Sequence, residues 1–250
     1  MGRFFNSKVN AFQDVLNSKI YIDKTGLLEY TNSVIDTTSK FICNSRPRRF
    51  GKSITADMLT AYYSRSLDTE EIFEKLEVGK TADFRKHLNQ YDVIHIDIQW
   101  CIEPAGGADQ VITFINKNVI EELRETYEKE LSEGTSSLPD ALSQISAKTG
   151  KKFILILDEW DVLIRDEAAN QKIQDEYINF LRGLFKGTET SVYKRYKQDK
   201  IEMRGDRAEM SDFPLYLNTV AGGLDRRDQT IGGFSFVVKI YTVPVVEIIG

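Results

Sequence analysis

Phe153-Ile154-Leu155-Ile156-Leu157-Asp158-Glu159 is an unbroken apolar run that ends in two acids. A half-exposed strand alternates apolar and polar residues, and this stretch does not. It predicts a central parallel strand covered on both faces. Upstream, Val93-Ile94-His95-Ile96-Asp97-Ile98 alternates at period two and predicts a second strand, and Lys40-Phe41-Ile42-Cys43 predicts a third. Helical stripes separate them. Leu27 to Tyr30 is helix-like, and Ile54, Met58, Leu59 and Tyr62 recur at three- and four-residue spacing. Val111, Phe114, Ile115, Val119 and Leu123 form a long stripe, Leu138 to Ala147 a shorter one stopped by Gly150, and Tyr177 to Phe185 a last one closed by Gly187. Strands alternating with helices through right-handed crossovers predict an α/β fold: a three-layer α/β/α sandwich on a mainly parallel sheet.

Composition bounds the function classes. Of 250 residues, 41% are hydrophobic and 28% charged, values that fit a globular chain and exclude a disordered one. No apolar run reaches the length of a membrane span, and Met1 to Asn6 carries neither a signal-peptide stretch nor a complete myristoylation pattern. The expectation is a cytoplasmic protein. Cys43 and Cys101 are too few and too far apart for a disulfide framework, and with His87 and His95 they make no metal set. A net charge of -5 argues against a nucleic-acid coat but leaves room for a local basic patch.

That patch is Arg46-Pro47-Arg48-Arg49-Phe50-Gly51-Lys52-Ser53, between a predicted strand and a predicted helix. It carries the end of the phosphate-binding pattern G-x-x-x-x-G-K-[ST], with Arg46 in place of the first glycine. In such a loop, backbone N–H groups and the helix N-terminus face an anion, Lys52 reaches the β- and γ-phosphates, and the Ser53 hydroxyl ligates magnesium. Pro47 removes one donor, so the cradle departs from the usual one. Arg46, Arg48 and Arg49 bind the γ-phosphate, contact nucleic acid, or are solvated loop charges. A parallel strand delivers Asp158 and Glu159 to the same rim as the loop. There Asp158 would hold the magnesium shell and Glu159 would polarise the attacking water, beside the catalytic Lys52. The strand between the two motifs suggests the additional-strand class of P-loop ATPases, in which a further strand with a polar sensor lies between the first and third.

Tyr21-Ile22-Asp23-Lys24-Thr25, the Arg46–Ser53 loop, Tyr62-Tyr63-Ser64, Leu88 to Ile94, Asp158-Glu159-Trp160-Asp161 and Tyr177 to Gly187 together resemble the bacterial AAA-ATPase-like family. The resemblance covers about residues 1–190, and the Arg-Pro-Arg-Arg-Phe-Gly-Lys-Ser loop is its hallmark. It implies ATP and Mg2+ as ligands, with the loop and Asp158-Glu159 carried over residue by residue. Members often carry a C-terminal PD-(D/E)XK nuclease-like domain. A nuclease-like effector or another protein is therefore an open partner, while nucleic acid is not the primary one and no membrane contact is expected.

The organisation predicted is a P-loop domain over 1–190 and a divergent tail over 191–250. In the family an apolar strand bearing a threonine follows the last helix, but here Thr188 to Tyr193 runs almost directly into Lys194-Arg195-Tyr196-Lys197. Two tail segments offer a replacement: Leu215 to Thr219, with Asn218 or Thr219 as a substitute sensor, and Phe234 to Ile240 as a strand. The tail otherwise reads as irregular. It contains no Asp followed by a Glu-x-Lys pair, so no nuclease activity is expected. Three functions remain open at this point: Mg-dependent ATP hydrolysis that drives a conformational change in an effector, a non-catalytic (truncated) nucleotide-binding or interaction module, and an ATP-modulated nucleic-acid binder acting through Arg46, Arg48 and Arg49. Arg165 is read as a surface ion pair rather than a finger across a subunit boundary. Cys43, Cys101, His87 and His95 are read as structural and Trp160 as core or a lid edge, while Tyr21 to Thr25 stand where related ATPases place adenine contacts, with packing for Tyr21 and a turn at Asp23-Lys24 as the alternative.

Overall fold

The computed structural model describes residues 2–7, 10–37, 40–45, 51–165, 170–185 and 234–241. The fold is mixed α/β. Four strands, β1 (Phe41–Ser45), β2 (Asp92–Asp97), β3 (Phe153–Asp158) and β4 (Phe234–Tyr241), form one sheet in the order β1-β4-β3-β2. Five helices precede β2 or lead into it: α1 (Asn10–Leu16), α2 (Gly26–Val34), α3 (Lys52–Tyr63), α4 (Glu70–Phe73) and α5 (Phe84–His87). Five follow it: α6 (Ile98–Ala105), α7 (Val111–Tyr127), α8 (Leu138–Thr149), α9 (Val162–Arg165) and α10 (Gln171–Phe185).

Alternation along the strands sorts the core in two. Ile94, Ile96, Phe153, Leu155 and Leu157 pack with the apolar stripes of α6 to α10, including Ile115, Val119, Leu142, Tyr177 and Leu184. Val93, Ile154, Ile156 and Ile42 pack on the other face with Leu28, Met58, Leu59, Tyr62 and Phe73. All six residues of β3 are buried, as an uninterrupted apolar strand packed on both faces must be. The outer edge of β2 is covered by the N-terminal segment. Phe5 bridges Ile94, Asn6 N–H donates to Val93 O at 2.8 Å, and His95 N–H donates to Phe4 O at 2.9 Å. Glu122 on α7 holds that segment by accepting from the backbone N–H groups of Arg3, Phe4 and Phe5. An edge strand is thereby closed to further pairing.

Two elements differ from the sequence expectation. The second strand ends at Asp97, and Ile98 opens α6, because the Asp97 carboxylate caps that helix by accepting from Trp100 N–H at 2.9 Å. The sheet is also less parallel than expected. Phe234 to Tyr241 does stand between β1 and β3, but antiparallel to both, so β2–β3 is the one parallel ladder of the three. An apolar run specifies a strand without specifying its direction, and an antiparallel neighbour needs no crossover helix. Thr188 to Lys197, Gly187, Asn218 and Thr219 lie outside the described residues. Among the described residues no helix is long and apolar enough to cross a membrane.

Candidate functional site

Helix α3 begins on Gly51, whose backbone is left-handed (φ 70°, ψ 43°), a conformation that glycine adopts without a Cβ penalty. Gly51 O accepts from Thr55 N–H at 3.1 Å and from the Thr55 hydroxyl at 2.9 Å, which fixes the first turn. No acid stands in that turn. The helix end, with its unsatisfied N–H groups and partial positive charge, therefore has no anionic side chain of its own there.

Two side chains of this turn meet the end of β3. The Ser53 hydroxyl acts on the Asp158 carboxylate and favours its charged form. Lys52 is buried, and its charge acts on Asp161. Asp158 is 1% exposed and also accepts from Glu159 N–H at 3.0 Å. Burial pushes its carboxyl above the usual range; the Ser53 hydroxyl opposes this, and the charges of Asp97 and Glu159 add to it. Asp57, one turn beyond Ser53 on α3, is pushed up to about 6 by burial and by the charges of Asp158 and Asp97. Asp97, in register with Asp158 across the parallel ladder, is raised by burial and by Glu159. Carboxylates thus crowd one rim of the sheet and raise one another.

Glu159 is itself left-handed (φ 46°), uncommon for a residue with a side chain. Its carbonyl accepts from Val162 N–H at 3.1 Å, and its carboxylate lies 3.6 Å from the Arg165 guanidinium. Arg165 also pairs with the buried Asp161 at 3.2 Å. Behind the acids, His95 Nδ1 lies 3.3 Å from the Thr60 hydroxyl and 3.9 Å from Asp57. Burial pushes its imidazole down to about 4, so it is neutral near pH 7.

Of the residues singled out in the sequence, Lys52, Ser53, Asp158 and Glu159 fall at the joined ends of α3 and β3. Arg46, Pro47, Arg48, Arg49 and Phe50 lie outside the described residues. Trp160 and Cys101 are buried, and burial pushes the Cys101 thiol up to about 12. His87 is buried against the Tyr91 hydroxyl at 2.6 Å. Sequence reasoning missed Asp57 and Asp97. The signals were present: Asp57 is four residues from Ser53 on a helix, and Asp97 ends the strand beside β3.

A glycine-started helix, with a lysine and a serine in its first turn, meets an Asp-Glu pair at the end of the adjoining apolar strand. The family model described as predicted AAA-ATPase matches residues 8–198. The chain belongs to this family. Membership in the AAA-ATPase-like family suggests nucleotide binding. A relative from Azotobacter chroococcum mcd 1, described as an uncharacterized protein in vnfD 5'region, is 26% identical over 171 residues. The match takes in 66% of this AAA-ATPase-like chain and 30% of the relative, so the chain spans under a third of that protein's length. No solved structure matches it.

Proposed function

We propose that this AAA-ATPase-like chain binds Mg-ATP through a P-loop and hydrolyses it to ADP and phosphate. The observation that carries the reading is that the start of α3 and the end of β3 meet closely enough for the Ser53 hydroxyl to act on Asp158 and the Lys52 charge on Asp161. On this reading residues 1–190 form the P-loop domain, a three-layer α/β/α sandwich of the additional-strand class. The tail, 191–250, contributes β4 to its sheet.

The donor set suits Mg2+. Among the described residues no group of three or more His, Cys, Asp or Glu side chains could hold a metal, so an all-protein cage is not on offer there. A hydroxyl and one buried carboxylate leave most of an octahedral shell to phosphate oxygens and water, as Mg2+ prefers. Ser53 and Asp158 would hold the ion, which when bound neutralises charge on the phosphates and on the crowded acids. Lys52 binds the β- and γ-phosphate oxygens, and the N–H groups at the start of α3 orient them. Arg46 to Phe50 would line the rest of the cradle. Glu159 accepts a hydrogen bond from the attacking water and aligns it with the γ-phosphorus. Catalysis is then positioning and charge neutralisation, without a covalent intermediate.

Steady-state phosphate release tests the reading. Glu159→Gln is expected to lower turnover by about 100-fold with Mg-ATP affinity within about threefold of the parent, as befits a group that acts in the transition state. Unchanged turnover in that variant removes Glu159 from the role.

A second reading, nucleotide binding without turnover, is favoured by the direction of β4. In the additional-strand class a polar sensor ends the strand between β1 and β3. Antiparallel β4 brings its first residues, near Phe236, to the rim of Asp158, and its last, Tyr241, to the far rim beside Phe153. ATP would then select one conformation. Tight Mg-ATP binding with no phosphate release in the parent protein distinguishes this reading from hydrolysis.

A further inference from the structure

The segment that follows Glu159 is fastened to α10. The Tyr177 hydroxyl, fully buried on α10, donates to Trp160 O at 2.7 Å, and Gln174 Nε2 donates to Ile164 O at 2.9 Å. Within the segment, Asp161 O accepts from Ile164 and Arg165 N–H at 3.0 and 2.9 Å, which forms α9. Arg165 therefore stands on a fixed element. Its guanidinium meets two acids with two different nitrogens: Nη1 lies 3.2 Å from Asp161 Oδ2, and Nη2 lies 3.6 Å from Glu159 Oε2. The first contact is a hydrogen bond to a carboxylate that is 1% exposed. The second is an ion pair without a hydrogen bond, to a carboxylate 28% exposed at the rim.

The two acids ask different things of the one cation. Asp161 Oδ1 is buried with no hydrogen-bond partner among the described residues. Burial pushes the Asp161 carboxyl above the usual range, and the charge of Arg165 is the largest influence opposing this. A buried carboxylate with one oxygen already unsatisfied loses more by giving up its guanidinium than an exposed one would. Arg165 is thereby pinned. Glu159 has the opposite problem: its backbone is left-handed (φ 46°), its side chain is long and partly exposed, and its charge acts on Asp158 and Asp97. Like charge on one side and a fixed guanidinium on the other restrict where its carboxylate can point. At 3.6 Å the cation orients that carboxylate and leaves its lone pairs open to a donor.

We propose that Arg165, pinned by the buried Asp161, is the positioning residue of Glu159 and sets the direction from which that carboxylate accepts a hydrogen bond from water. The proposal rests on the hydrolysis reading and deepens it. Arg165 acts through Glu159 alone, and Asp161 acts through Arg165. The planar fork of a guanidinium serves both acids at once, which the point charge of an ammonium does not.

A double-mutant cycle on the full chain tests this, read as phosphate release over a range of Mg-ATP concentrations. The variants are Arg165→Met, Glu159→Gln, the two combined, and Asp161→Asn. Arg165→Met keeps the aliphatic stem and is expected to lower kcat by about tenfold with KM within about threefold of the parent. Asp161→Asn, which takes the buried charge from Arg165, should lower kcat in the same way. The decisive variant is the combined one: without a carboxylate to orient, losing Arg165 should lower turnover by no more than about twofold beyond Glu159→Gln alone. A merely structural arginine would instead lower both backgrounds equally, and that result overturns the inference. Parental kcat in Arg165→Met, with turnover lost in Glu159→Gln, overturns it too and leaves the hydrolysis reading standing. Parental turnover in Glu159→Gln, or no phosphate release from the parent, removes the hydrolysis reading and the inference with it. If Arg165→Met does not fold, Arg165→Lys keeps a cation for Asp161 and carries the same cycle, with the same outcomes deciding.

Discussion

Two buried aspartates sit at opposite rims of the same sheet, each 1% exposed, in contrasting company. Asp92 opens β2. Its carboxylate accepts from Asn6 Nδ2 at 3.0 Å and from the Tyr127 hydroxyl, and it pairs with Arg65 at 3.3 Å. Lys151 in turn donates to the Tyr127 hydroxyl at 3.0 Å. Each of these partners is a donor or a cation, and the acid fastens the N-terminal segment, α3's exit and α7 to one strand. Asp158 closes β3. It has a serine hydroxyl and a backbone N–H, and otherwise faces the charges of Asp97, Glu159 and Asp57. The first acid is satisfied by the fold. The second is crowded by like charge and would be relieved by a cation. A structural acid and a site acid can be equally buried, and their partners tell them apart.

The largest effect should come from the satisfied acid. Asp92→Ala leaves Asn6, Tyr127 and Arg65 facing a gap, and is expected to cost about 3–5 kcal/mol, read as a lowered urea midpoint at constant slope. A cost under about 1 kcal/mol would erase the contrast.

Next comes the crowded rim, with the opposite sign. Asp57 is raised from 3.8 to about 6, so between those values the folded state keeps a proton that the unfolded chain has released. Stability contributed by this group is therefore present below about pH 4 and lost as pH rises toward 6. Its side chain is 30% exposed, so solvent screening leaves about 2 kcal/mol for the effect. Asp57→Asn should raise stability at pH 7 by up to that amount and flatten the pH 4–6 slope in denaturation curves. A steeper slope would contradict the crowding.

A ligand should relieve the same strain. At ten times its Kd, Mg-ATP is expected to stabilise the parent by about 1.4 kcal/mol in thermal unfolding, and removal of Mg2+ with a chelator should abolish most of the gain. Asp158→Asn should not show that Mg dependence. The smallest change belongs to Arg165, a partly exposed guanidinium that pairs with the partly exposed Glu159 and with the buried Asp161. Arg165→Ala should lower stability by no more than about 1 kcal/mol, read from the urea midpoint at constant slope.

Legibility in the sequence followed the strength of the local signal. β3 was readable because its apolar run admits one environment, and α7 because Val111, Ile115, Val119 and Leu123 keep one face for four turns. The start of α6 was not, because Ile98 continues the alternation of β2 until the Asp97 cap overrides it. The short helices α1, α4, α5 and α9 carry too few residues for a periodic stripe. The place of β4 beside β1 was foreseeable from the gap it fills, and its direction was not, since a hydrophobic run reads the same from either end. At the rim, the motifs marked Ser53 and Asp158. The gathering of Asp57 and Asp97 around them depends on the packing of α3 across β2 and β3.

The central claim is that the Ser53–Asp158 rim takes a nucleotide with its cation. Calorimetric titration of Mg-ATP into the parent protein and into Lys52→Ala tests it most directly. The account predicts a saturable heat in the parent and affinity weakened by about 100-fold in the variant, as expected for removing a buried charge that contacts phosphate. Equal heats in the two proteins, or none in a folded parent, would contradict it.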